Sequence, residues 1–207
     1  MPVPLNILLV EDSEEDAELV VAELRRAGFE PQWKRVTTEA DYRASLEDAP
    51  DLIISDFALP QFSGLRAMDL LRERGLDIPV ILVTGTLGED RAVEAMRHGM
   101  TDYLLKDRIG RLGNSVSRAL EQKRLRDERR RMQDTLRESE DRYRSLVEES
   151  PDAIGIYQDG KLVFANSTGA RMLGAKTKEE LLGRETQQMI HPEDLPGAMD
   201  RVRRRLA

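Results

Sequence analysis

Cysteine is absent from the chain. That excludes disulfides, thiolate catalysis and cysteine metal ligands, and it fits a reducing compartment. No run of about 18 apolar residues is present either, so no segment reads as a membrane-spanning helix. The opening stretch Met1-Pro2-Val3-Pro4-Leu5-Asn6 has no basic region followed by a long apolar one, so secretion is not indicated. Cytoplasm is the expected location. An excess of basic residues is missing too: the net charge is −7, which argues against a general nucleic-acid binder. The arginine triplets at 129–131 and 203–205 read as solvated helix faces.

What is present is a chain of 207 residues, 40% hydrophobic, enough for one ordinary domain and part of a second. Between residues 5 and 110, short apolar runs alternate with amphipathic stretches. Leu5 to Val10, Gln32 to Val36, Leu52 to Ser55, Val80 to Val83 and Tyr103 to Leu105 read as strands, with helical patterns between them. Such alternation predicts a parallel sheet with helices on both faces, an open doubly wound α/β fold.

From about Leu112 to Val147 the chain is highly charged and has neither Gly nor Pro after Gly113, which predicts one long helix. Leu125, Met132, Leu136, Tyr143 and Leu146 share the a and d positions of one heptad register, with Arg129 and Ser139 in the other two. The pattern predicts a short, imperfect coiled coil and a homodimer; the alternative is a solvated single helix. A third unit begins at Ser150-Pro151. There, Ala153 to Tyr157 and Leu162 to Ala165 flank Asp159-Gly160, a hairpin signal. Asn166 is placed to cap the next helix, and Thr177 with Glu180 matches a capping box.

The chemistry gathers at the strand ends of the first unit. Strand one runs into Glu11-Asp12, strand three into Asp56, strand four into Thr84 and strand five into Lys106. In a parallel sheet these carboxyl ends share one edge, where open sheets of this class bind ligands. Carboxylates brought together repel, so the cluster needs a cation, and a few oxygen ligands with room for water and phosphate favour Mg²⁺. Metal, lysine, hydroxyl and a carboxylate nucleophile at Asp56 are the equipment of phosphoryl transfer. Taken singly, the same residues have plainer uses: Asp12 or Ser13 as a helix cap, Asp56 in a turn, Thr84 as a β-branched strand residue.

The pieces "ILLVEDSEEDA", "DLIISDFALPQFSGL", "PVILVTG" and "AMRHGMTDYLLK" resemble the receiver domain of bacterial response regulators across roughly residues 4 to 120. The resemblance implies a flavodoxin-like sheet of order 2-1-3-4-5. It implies that Asp56 accepts a phosphoryl group from a phosphohistidine on a partner histidine kinase or phosphotransfer protein. Asp12 would bind Mg²⁺ directly and Glu11 mainly through water, with Asp56 and the backbone carbonyl of Ala58 completing the protein ligands. Lys106 would hold the phosphoryl group, Thr84 would move toward it, and Tyr103 would follow by changing rotamer. Pro60 and Gly64 would shape the loop into helix three. Ala58 and Thr86 occupy the positions that influence how water reaches the phosphate. One residue departs from the pattern: receivers commonly follow the lysine with a cis proline, and here Asp107 stands in its place. The expectation is that the Lys106-Asp107 bond stays cis so that the lysine can still reach the site.

The third unit, with "RYRSLVEESPDAIGIYQDGKLVFANSTGARMLG", "KTKEELLGR" and "HPEDL", resembles the first half of a PAS domain. The strands that would complete its sheet do not follow, so a truncated module is expected. His191 belongs to a His-Pro helix start rather than to a haem site. The resulting division is a receiver at 4–120, a helical linker at 121–147 and a partial PAS unit at 148–207. The expected function is two-component phosphorelay signalling, with no enzymatic activity beyond self-phosphorylation and self-dephosphorylation. An aspartyl phosphatase is disfavoured because Asp56-Phe57-Ala58 lacks the second aspartate of an Asp-x-Asp motif. His98 and His191 are the two histidines, and no glycine-rich nucleotide loop is present, so the chain is not itself a kinase. It remains open as the front end of a hybrid PAS histidine kinase, or as a scaffold that works without phosphorylation.

Overall fold

In strand β1 (Val3–Val10) Leu5, Ile7 and Leu9 fall in one apolar cluster while Leu8 and Val10 fall in another. This alternation is what a strand buried on both faces requires. The computed structural model describes residues 1–57, 59, 62–85, 95–185, 189–197, 200 and 204. Within the first unit, Met1–Arg130, β1 is followed by α1 (Glu14–Arg26), β2 (Phe29–Val36), α2 (Glu39–Ser45), β3 (Leu52–Ser55), α3 (Gly64–Glu73), β4 (Val80–Thr84) and β5 (Asp102–Leu105). The five strands are all parallel, in the order β2-β1-β3-β4-β5. The doubly wound architecture expected from the alternation is therefore present, with the flavodoxin-like strand order that the resemblance implied.

One cluster packs Val20, Leu24, Leu112 and Val116 against Ile7, Leu9, Leu52, Ile54 and Ile81. The other packs Tyr42, Phe62, Leu70 and Leu71 against Leu8, Val10, Ile53 and Leu82. Helices α1, α2 and α3 each start on a capping side chain: Ser13 Oγ accepts from the Asp16 amide, Thr38 Oγ1 from Asp41 and Ser63 Oγ from Arg66. Ser13, rather than Asp12, therefore fills the capping role at α1.

The long helix α4 (Leu112–Glu148) runs as one element, matching the predicted helix to within a residue. Leu112, Val116 and Ala119 are buried at helical spacing, and Gly113 lies against α1's C-terminal cap. A Cβ at Gly113 would stand 2.3 Å from the Cβ of Ala27, so the glycine permits a close approach that any side chain would block. Farther along, Leu125, Met132, Leu136, Tyr143 and Leu146 are 50–67% exposed.

The second unit, Arg131–Ala207, contains the hairpin β6 (Gly155–Gln158) and β7 (Lys161–Ala165), the helix α5 (Ser167–Met172) and a short 3₁₀ turn at Lys178–Glu180. Asp159 and Gly160 form the two-residue turn with φ of 51° and 75°, the primed geometry that an Asp-Gly pair favours. Its small core is Leu162, Ala165, Ala170 and Leu181.

Asn166, fully buried, does more than cap α5. Its Oδ1 accepts from the amides of Gly169 at 2.8 Å and Ile154 at 2.9 Å. Its Nδ2 donates to the carbonyls of Asp152 at 2.8 Å and Val147 at 3.0 Å, the last near the end of α4. Thr177 departs from expectation: its side chain makes no cap bond, and Glu180 accepts instead from the Lys176 amide. The segment closes as a single 3₁₀ turn of three residues rather than opening an α-helix.

Gly113→Ala should lower the stability of the first unit by about 1–3 kcal/mol through overpacking, despite alanine's better helix propensity. Ala27→Gly in the same chain should recover most of that loss; denaturant midpoints of the four combinations measure both effects. Asn166→Ala should destabilise the second unit by about 2–4 kcal/mol, because it strands two amides and two carbonyls. Faster hydrogen exchange at the Ile154 and Gly169 amides is the accompanying sign.

Candidate functional site

The parallel register brings the ends of β1, β3, β4 and β5 to one edge, with Val10 opposite Ser55 and Thr84 opposite Leu105. Glu11, 6% exposed, follows β1. Its Oε1 accepts from the Ser13 amide at 3.1 Å, and its Oε2 from Lys106 Nζ at 3.2 Å. Asp56 follows β3, its own amide bonded to the Val10 carbonyl at 2.8 Å. One carboxylate oxygen accepts from the Phe57 amide and the other from Lys106 Nζ at 2.9 Å. Gly64 fits this corner for a steric reason. A Cβ there would lie 3.1 Å from both the Asp56 carbonyl oxygen and Ser55 Oγ.

Glu11, Asp56 and Lys106 thus meet as the strand-end argument requires. Thr84 is buried at the end of β4, and Tyr103 on β5 is 42% exposed. Asp12 is exposed beside Glu11, and Arg35 from β2 donates to the main-chain carbonyls of both, at 3.2 Å to Glu11 and 3.1 Å to Asp12. Ala58, Pro60 and Thr86 lie outside the described residues.

Two participants were not read from the sequence. Arg35 gave no signal, since an arginine in an edge strand is ordinary. Asp16 was visible as part of the acidic run Glu11–Asp16, and its place three residues after the cap Ser13 could have marked it. Its Oδ2 accepts from Lys106 Nζ at 2.5 Å.

The Lys106-Asp107 bond is trans, as is every other described peptide bond, so the expected cis linkage is not adopted. A cis bond ahead of a residue other than proline costs about 2.5–4 kcal/mol. The chain avoids that by entering a 3₁₀ segment at once, Lys106–Arg111, with Leu105 still extended at φ −82° and ψ 141°. The lysine reaches the carboxylates from the first residue of that turn.

Burial lifts the Glu11 carboxyl above its ordinary range, although the Ser13 amide and Lys106 pull it down. For Lys106, burial opposes the charged form. The bonds to Asp16 and Asp56 and the charges of Asp56 and Glu11 outweigh it and hold the ammonium above its ordinary value. Among the described residues, no group of three or more carboxylate or imidazole side chains is placed as a ready metal cage, since the carboxylates converge on the ammonium instead. Their chemistry nonetheless fits Mg²⁺. Oxygen donors are what this ion takes, and three ionised carboxylates around one ammonium leave two negative charges uncompensated.

A five-stranded parallel sheet of this order, carrying an aspartate, an acidic neighbour and a lysine at its carboxyl edge, defines a doubly wound α/β module with an acidic strand-end site. Residues 7–116 match the response regulator receiver domain model, and residues 141–206 match a PAS domain model. The chain belongs to the response regulator receiver family, with a PAS domain following the receiver. Among curated proteins it is 34% identical over 147 residues to the C4-dicarboxylate transport transcriptional regulatory protein DctD of Pseudomonas aeruginosa, covering 69% of this chain and 31% of that protein. It is 39% identical over 102 residues to the response regulator protein FleR of the same organism, covering 49% of this chain and 21% of FleR. The signal receiver domain of a LuxO-type repressor from Vibrio parahaemolyticus superposes with a TM-score of 0.54 at 31% identity, over 60% of this chain and 96% of that one. The chain spans 31% or less of the length of DctD and FleR. Among the described residues, no helix is long and apolar enough to cross a membrane.

Lys106→Met leaves three carboxylates without a counter-charge. Breaking a fully buried pair costs about 3–5 kcal/mol; with the lysine side chain 21% exposed, about 1–3 kcal/mol is expected near neutral pH in chelator. The pH dependence has a defined sign. Glu11's folded-state pKa is raised, so the stability it contributes is complete below 4.5 and is lost as pH rises through the folded value. Removing the lysine raises that value further. The variant's deficit should therefore be small below pH 4.5 and grow toward neutrality. Urea midpoints across that range measure it, and a deficit that grows with acid would contradict the electrostatic account.

Proposed function

We propose that this chain is a phosphorelay receiver. Asp56 takes a phosphoryl group from a phosphohistidine on a partner histidine kinase or phosphotransfer protein, and the altered site is relayed through α4 to the PAS unit. The observation that carries this reading is Asp56 Oδ2 held 2.9 Å from Lys106 Nζ beside buried Glu11.

In the transfer, a carboxylate oxygen of Asp56 forms a bond to phosphorus while the bond from phosphorus to the donor's imidazole nitrogen breaks, and that nitrogen keeps the electron pair. Mg²⁺, when bound, offsets the charge of the phosphoryl oxygens. Asp12, Asp56, the Ala58 carbonyl and, through water, Glu11 would hold it. Lys106 supplies a fixed positive charge to a phosphoryl oxygen, and the Thr84 hydroxyl donates to another. Asp56 loses its negative charge on acylation, so the ion pair that held Lys106 is altered by the chemistry itself. Tyr103, already part-exposed on β5, then changes rotamer and alters the surface around that strand. The activity is confined to this self-phosphorylation and its reversal by hydrolysis.

The receiver extends over 4–120, the linker over 121–147 and the PAS portion over 148–207, and the protein works in the cytoplasm without nucleic acid or membrane as partner. The exposed stripe from Leu125 to Leu146 supports a homodimer through the linker helix, because pairing would remove that apolar surface from water.

Intact-mass measurement of the chain with acetyl phosphate and Mg²⁺ tests the central chemistry. Wild type should gain one phosphoryl group, while Asp56→Asn, or wild type with chelator, should gain none. Phosphate carried equally by Asp56→Asn would sink the assignment.

A further inference from the structure

Lys106 Nζ makes three bonds, to Glu11 at 3.2 Å, Asp16 at 2.5 Å and Asp56 at 2.9 Å. An ammonium has three protons to donate, so its capacity is full before any phosphoryl group arrives. A lysine that is to bind phosphate must therefore give up an existing partner.

The three partners differ in how readily they can leave. Glu11 is 8% exposed in its side chain and is also held by the Ser13 amide. Asp56 is 15% exposed and is the acceptor itself. Asp16 is 36% exposed, so its carboxylate has water to turn to. Its place in α1 explains why it faces the lysine. An acid at the third helical position ordinarily reaches back to the amide of the capping residue. Here that Ser13 amide is already taken by Glu11 Oε1 at 3.1 Å, and Ser13 Oγ binds Asp16's own amide at 3.2 Å. The backbone of Asp16 is fixed by the cap, and its carboxylate is released from the cap's usual duty.

We infer that Asp16 is a positioning residue that holds Lys106 in the resting site and competes with the phosphoryl group for it. The inference rests on Asp56 being the phosphoacceptor. Once Asp56 carries the group, its carboxylate charge is gone and phosphoryl oxygens stand in front of the lysine. Lys106 then moves its donors from Asp16 to those oxygens, and Asp16 turns to solvent. Asp16 thereby sets how tightly the site holds a phosphoryl group without touching that group.

Beryllium trifluoride, a stable mimic of a phosphoryl group on a carboxylate, is the probe, titrated with Mg²⁺ into the intact chain. Asp16→Asn should bind it about three- to tenfold more tightly than wild type, because a charge-assisted hydrogen bond in the competing state becomes a weaker neutral one. Asp16→Glu, which keeps the charge, should return toward wild type. In a Lys106→Met background Asp16→Asn should have no tightening effect, a result that a purely structural helix-start role would not produce. Without metal or probe, the Lys106 ammonium should exchange its protons faster in Asp16→Asn than in wild type, read by ¹⁵N NMR. Unchanged or weaker binding by a folded Asp16→Asn, with wild type binding normally, overturns the inference alone. Absence of binding by wild type overturns the phosphoacceptor reading, and the inference with it.

Discussion

One ammonium group organises the carboxyl edge of the sheet. Lys106 is bonded to acids that follow β1, start α1 and follow β3, segments separated by 95, 90 and 50 residues from the lysine. Without a positive charge among them, these carboxylates would repel one another in a partly buried setting where screening is weak. The lysine lets the sheet keep its acids close together while leaving the cluster net negative. The residual negative charge suits a divalent cation, while all three protons of the ammonium are engaged by carboxylates.

The position of the lysine depends on topology more than on local sequence. In a parallel sheet the strand ends on one edge are chemically equivalent places, so residues remote in the chain become neighbours once the order β2-β1-β3-β4-β5 is adopted. Gly64 belongs to the same constraint. It lets α3 begin hard against the backbone of Asp56. Arg35 adds a further tie by binding the carbonyls of Glu11 and Asp12, fixing the loop from which the first acid projects.

Legibility followed period and spacing. The strand at Leu52–Ser55 was readable because four consecutive apolar or small residues in a doubly covered sheet leave little choice, and the structure gives the same limits. The hairpin at Asp159-Gly160 was readable because that pair adopts positive φ at low cost. Asp56, Glu11 and Lys106 were legible as strand-end residues. Asp16 was hidden because an acid in a first helical turn already has an adequate explanation in the helix dipole, and its real partner lies 90 residues away. Arg35 and the Asn166 bond to Val147 were hidden for the same reason, as side-chain bonds across long sequence separations leave no periodic trace. The Lys106-Asp107 torsion is not legible in the sequence, because the need for the lysine to reach the site does not by itself select a cis bond. A trans bond leading directly into a 3₁₀ turn meets the same need.

The long helix is held unevenly along its length. Its first turns are buried by Leu112, Val116 and Ala119 and are brought close to α1 by Gly113. Near its other end, Val147 is bonded by Asn166, while Glu148 accepts from both Lys178 and Ser167. Among the described residues of α4, none beyond Ala119 is buried. Between these places the helix carries charged pairs such as Lys123 with Asp127, a bond from Arg126 to Asp77 and an exposed apolar stripe. Propensity and short-range pairs stabilise an isolated helix only weakly. The stripe from Leu125 to Leu146 is therefore apolar surface left in contact with water on a segment of low intrinsic stability.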